Sequence, residues 1–190
     1  MKTPFVTFMA FLICMANVNG QIKKTTAPQP EYLNAIYFIR QDSLFMVEKV
    51  QAEMKNKTKA LGFGGSEAGY FIEGPKSPFR INVNDRMQFA VKLNSSMMDP
   101  TMMIKLYRFE SGKYDREAIL GGGGGMFNKK KDVGIGVEVP CNIHKSGSDV
   151  FVITPGSTLS SGEYGFLNMM MMTASGSKPK YTVFAFGVDQ

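Results

Sequence analysis

Methionine is the residue type whose number and spacing in this chain most suggest chemistry. Fifteen occur in 190 residues. Eight of them form two clusters: Met97, Met98, Met102 and Met103, then the unbroken run Met169, Met170, Met171 and Met172. Thioethers and thiolates are soft ligands that select Cu(I) over hard cations. The segment Cys141-Asn142-Ile143-His144 adds a thiol and an imidazole close together in sequence. If the methionine clusters lie in loops at one end of the fold, these ten side chains could supply a Cu(I) site. The competing expectation is that methionine fills irregular gaps in a core or, when exposed, gives a protein partner an adaptable surface. On that expectation no cofactor is bound.

Other chemistries fail on inventory. His144 is the only histidine, so a Ser-His-Asp triad would have to use it, and no Gly-x-Ser-x-Gly elbow accompanies it. Zinc hydrolases draw on two or three histidines. The run Gly121 to Gly125 invites a phosphate-loop reading, but Met126 stands where a third glycine is needed and no Gly-Lys-Ser/Thr follows. The expectation is therefore a non-enzymatic binding or structural module. Carbohydrate binding is an alternative. Tryptophan is absent, so Tyr32, Tyr70, Tyr107 and Tyr114 would have to stack against the sugar. Solubility charge on an exposed loop is the first expectation for the net charge of +6 and the run Lys129-Lys130-Lys131, and an anionic contact is the alternative. Export turns that alternative from nucleic acid towards an envelope component or a protein.

The export signal lies at the N-terminus. A lone Lys2 precedes an apolar run from Phe5 to Ala16, and small or polar residues follow to Gly20. That pattern is a signal peptide cut near Gly20, because a membrane span needs about twenty apolar residues. Cys14 is not a lipidation site on this reading, since Ile13 stands where a small residue belongs. Residues 1–20 are thus the signal, 21–30 a polar leader with Pro28 and Pro30, and 31–190 one domain, secreted or periplasmic. No second run is long enough to span a membrane. With Cys141 as the only remaining cysteine, the fold must rest on its core rather than on disulfides.

The elements that position these residues read as strands. Ala35 to Ile39 is apolar on both faces. Residues 44–59 fit either a strand giving way to a loop or a helix. Phe79, Ile81 and Val83, then Met87, Phe89, Val91 and Leu93, alternate on either side of Asn84-Asp85, which predicts a hairpin. The five glycines from Gly121 are expected to break the strand pattern. Val133 to Val139, Val150 to Ile153, Tyr164 to Leu167 and Tyr181 to Val188 add further strands. These point to an all-β, antiparallel, Ig-like β-sandwich of about nine strands with little or no helix. Leu159-Ser160-Ser161-Gly162-Glu163-Tyr164 has the form of a tyrosine corner, with Gly162 and Tyr164 in structural roles. With the ending Phe184 to Asp189, this region resembles secreted bacterial Ig-like domains of unassigned function. The resemblance covers roughly the last thirty residues and implies a fold and an address, with no activity.

Overall fold

A computed structural model describes residues 28–58, 66–94, 99–123, 138–175 and 178–190. The expected signal at residues 1–20, Met97, Met98 and the lysine run at 129–131 lie outside the described residues. Thirteen strands and one helical turn are present: β1 (Ile36–Arg40), β2 (Ser43–Met46), β3 (Glu48–Thr58), β4 (Ser66–Glu73), β5 (Arg80–Asn82), β6 (Phe89–Lys92), α1 (Pro100–Met103), β7 (Ile104–Ser111), β8 (Asp115–Gly123), β9 (Glu138–Val139), β10 (Cys141–Lys145), β11 (Val150–Pro155), β12 (Gly162–Ser175) and β13 (Lys178–Asp189). Among the described residues the strand count is thus thirteen rather than about nine. Residues 48–58, open between helix and strand in the sequence, form the long strand β3.

Six strands close on themselves. The order β12-β13-β3-β4-β8-β7 returns to β12 because β7 pairs with it, and the result is an antiparallel barrel. β9 adds to β7, and β5 pairs in parallel with the end of β13. The remaining five strands form an open antiparallel sheet in the order β10-β11-β6-β1-β2.

Two cores follow from strand alternation. Tyr70, Tyr107, Phe109, Leu167, Val183 and Ala185 fill the barrel. The other faces of the same strands, with Leu106, Tyr164, Phe166, Phe184 and Phe186, meet Phe38, Phe89 and Ile153 of the open sheet. Phe89 sits with its centroid 4.8 Å from that of Phe166 and 4.9 Å from that of Phe186. β12 and β13 are therefore buried on both sides, which is why Phe184-Ala185-Phe186 reads as continuous apolar sequence. Each fully buried side chain of this size contributes about 1.5–3 kcal/mol relative to exposure.

Two local expectations are corrected. The segments around Phe79 and Phe89 do not form a hairpin: β5 pairs with β13, whereas β6 lies between β1 and β11. The turn itself exists, with Asp85 N donating to Asn82 O at 2.9 Å, but the chain crosses from one sheet to the other through it. The apolar faces of the two arms were legible; their membership of different sheets was not. The glycine run does not break the strand at its start either, because Gly121, Gly122 and Gly123 pair with Ala68, Glu67 and Ser66. Glycine keeps both backbone hydrogen-bonding groups, so a ladder can continue through it.

One end of the barrel is closed by charge. Glu48, Arg116 and Glu163 share the inward faces of β3, β8 and β12. Arg116 is 1% exposed and Glu163 3%. Arg116 Nη1 donates to Glu48 Oε2 at 3.0 Å, and its Nε donates to Gly74 O at 3.0 Å. Glu163 accepts from Ser77 N at 2.8 Å and pairs with Arg80, whose Nε also donates to Asp189 Oδ2 at 2.9 Å. The segment 74–77 thereby crosses the barrel mouth. A Cβ at Gly187 would stand 1.6 Å from Arg80 Nη1, so glycine is required for the guanidinium to lie there. Among the described residues, no buried side-chain nitrogen or oxygen lacks a hydrogen bond.

Candidate functional site

The far end of β12 carries the methionine run. Leu167 pairs with Val183 and Met172 with Tyr181, so residues 168–171 stand opposite Thr182 alone and must bulge. Asn168 organises the bulge. It is fully buried; its Nδ2 donates to Asn34 O at 3.2 Å, and its Oδ1 accepts from Met170 N at 3.0 Å. Asn34 itself has a φ of 62°, a conformation asparagine tolerates better than most residues. Met171 packs against the inter-sheet core, while Met169, Met170 and Met172 are 45%, 54% and 52% exposed.

The other methionine element lies beside this bulge. Asp99 caps α1, accepting from Thr101 N at 2.9 Å, and Pro100 occupies the first helical position. α1 lies against β7, β10 and β12. Met103 is buried and Met102 is 73% exposed. Tyr32 and Leu33, both exposed, precede Asn34. The described members of the two clusters are thus carried by neighbouring elements at one end of the molecule, and four thioethers there face solvent.

Cys141 and His144 do not converge. Both belong to β10, where a spacing of three places side chains on opposite faces. Cys141 is half-buried and its Sγ–H donates to Val139 O at 3.5 Å. Burial, with the carboxylate of Glu138 adding to it, pushes the thiol up to about 12, so the soft thiolate is not the resting form at neutral pH. His144 is exposed. Among the described residues, no group of three or more His, Cys, Asp or Glu could hold a metal ion. A cleft of about 400 Å³ runs beneath Cys141, walled by Ile104, Leu106, Val139 and Ile143 and rimmed by the Lys105–Glu138 ion pair at 2.9 Å.

The tyrosines divide by environment. Tyr70 and Tyr107 are barrel core, and burial raises the pKa of both hydroxyls, that of Tyr107 to about 12. Tyr114 is 72% exposed at the turn between β7 and β8. Tyr164 is buried; its hydroxyl donates to Ser160 O at 2.9 Å and its ring stacks on Phe186 at 5.7 Å. Gly162, two residues before it, has a φ of +157°, outside the range favoured by L side chains.

Sequence reasoning missed Asn168 and the barrel-end charge cluster. Asn168 did leave a trace, as a polar residue set between the apolar Leu167 and four methionines. The charge cluster left none, because its members are scattered along the chain. No helix among the described residues is long and apolar enough to cross a membrane. No protein-family model, curated protein or solved structure matches the chain.

Proposed function

We propose that this chain is an exported, non-enzymatic binding module that meets a protein partner through its methionine end. The observation that carries the reading is the bulge at residues 168–171. A fully buried asparagine fixes its backbone while Met169, Met170 and Met172 face water, with Met102 nearby. Burying a side chain of that size is worth about 1.5–3 kcal/mol, so a partner that covers several gains substantially. Unbranched thioether side chains adapt to different apolar surfaces. The N-terminal apolar run supports an address outside the cytoplasm, with cleavage near Gly20. The Tyr164–Ser160 hydrogen bond, and the packing of the open sheet on one barrel wall, support an Ig-like origin for that layer.

The test replaces Met102, Met169, Met170 and Met172 together with glutamine, which keeps length and removes apolar character. The tagged protein is then recovered from its native compartment. The reading expects a reproducible partner with the natural chain and its loss with the variant, at an unchanged melting temperature. Equal recovery of that partner by both would overturn it.

A Cu(I) carrier is the second reading, favoured by the adjacency of α1 and the methionine bulge. It requires Cu(I) binding tighter than micromolar in competition with a chelator, and its loss when Met169 to Met172 become leucine. The partner-binding reading expects no such affinity.

A further inference from the structure

We propose that the outer wall of the barrel carries a second binding site, for a neutral oligosaccharide, in the groove where β3 and β4 part. Pairing between these strands begins at Ala52 and Ile72. Below that point Val50 and Gln51 stay with β13, while Glu73 pairs with Asp115 of β8. The fork opens a groove of about 390 Å³ that reaches Tyr114 on one side and Lys180 on the other. This wall is the one that the open sheet leaves uncovered.

Two features select the ligand class. The first is the Tyr114 ring, 72% exposed at the rim of the groove. The negative face of an aromatic ring attracts the weakly positive C–H face of a pyranose. The second is charge balance. Glu53, Glu73 and Asp115 line the groove together with Lys55 and Lys180. Lys113 stands beside them, its Nζ 4.9 Å from the centroid of the Tyr114 ring. Lys55 and Lys180 both approach Glu53, at 3.2 and 4.0 Å, and Gln51 Nε2 donates to Thr182 Oγ1 at 3.2 Å. A ligand of either charge meets attraction and repulsion together. Hydroxyl groups both donate and accept, so a sugar can use carboxylate, ammonium and amide alike. The groove therefore combines an apolar platform with a few polar groups of both kinds, as binding sites for small ligands do.

The test titrates the intact protein with cellopentaose, maltopentaose, mannopentaose and xylopentaose, and with polygalacturonate as the charged comparison, following backbone amide shifts by NMR. At least one neutral oligosaccharide should give saturable shifts around Gln51, Lys55 and Tyr114, insensitive to added salt. Tyr114→Ala should weaken that binding about tenfold, with melting unchanged because the ring lies outside both cores. Absence of shifts with all four neutral sugars would overturn the proposal. So would binding that survives both Tyr114→Ala and Gln51→Ala, or salt-sensitive binding of polygalacturonate alone. The methionine end is untouched by these variants, so its reading stands or falls separately.

Discussion

β12 ends in two opposite ways. At its start Glu163 is buried among Arg80, Arg116 and the backbone of Ser77, and every charge there is answered. About 20 Å further on, at the rise of an extended strand, Met169, Met170 and Met172 stand in water around a buried asparagine. Polar groups are inside at one end and apolar groups outside at the other. Both ends invert the usual partition, and in both the inversion is held by hydrogen bonds to backbone. The difference lies in what those bonds hold. At the barrel mouth they act with the ion pairs of Arg80 and Arg116, which join β3, β5, β8, β12 and β13 into one unit. At the bulge they fix a surface and add little to the core. The first end is built for cohesion and the second for presentation.

The comparison is broken most severely at Arg116. Arg116→Ala leaves Glu48 and Glu163 facing each other inside the barrel, and the expected loss is about 3–5 kcal/mol in a urea titration. Arg116→Lys, which keeps the charge and loses the fork, should cost less. Asn168→Ala comes next, at about 1–3 kcal/mol, since Met170 N and Asn34 O lose their partner in a packed region. Tyr164→Phe should cost about 1 kcal/mol through the lost bond to Ser160. Tyr37→Phe is its comparison, because among the described residues the Tyr37 hydroxyl accepts a longer bond, 3.3 Å from Tyr32 N. A smaller, pH-dependent effect comes from Asp189. Its carboxyl is held below the ordinary 3.8, by the Arg80 hydrogen bond first and its charge second. The folded state binds that proton less readily than the unfolded chain. Its contribution is therefore complete above pH 3.8 and is lost as pH falls through the lower, folded value. Asp189→Asn should flatten the stability profile in that acid range and leave it unchanged near neutrality in shape. The smallest effect belongs to Met169→Gln, Met170→Gln and Met172→Gln, each within about 0.5 kcal/mol. A large loss from any of these three would mean that the run is packing rather than surface.

Much of the scaffold was legible because strand alternation and apolar runs are local. Tyr181 to Val188 announced a strand, and Leu159 to Tyr164 announced a tyrosine whose hydroxyl returns to the backbone upstream, found at Ser160. Barrel closure was not legible. It depends on β7 meeting both β8 and β12, and no local pattern encodes which edges of a sheet find each other. The failed hairpin between β5 and β6 has the same origin. Of the candidate site, the methionine run was visible as composition, but its exposure depends on the bulge opposite Thr182 and so on the register of β13. Cys141 and His144 looked like a pair because they are close together in sequence. On a strand their odd spacing separates them. The charge cluster draws Glu48, Arg80, Arg116, Glu163 and Asp189 from five strands, beyond the reach of any motif.

The most direct test of the division between cohesive and presenting ends is site-specific photo-crosslinking in the native compartment. A photoreactive residue is placed at Met170, at Tyr114 and at Met54, all exposed; of the three, Tyr114 adjoins the barrel mouth, its carbonyl accepting from Gly74 N at 2.9 Å. The account predicts one discrete protein adduct from position 170 and none of the same mass from position 54 or 114. Adducts of equal yield from all three positions, or from 54 or 114 and not from 170, would contradict it.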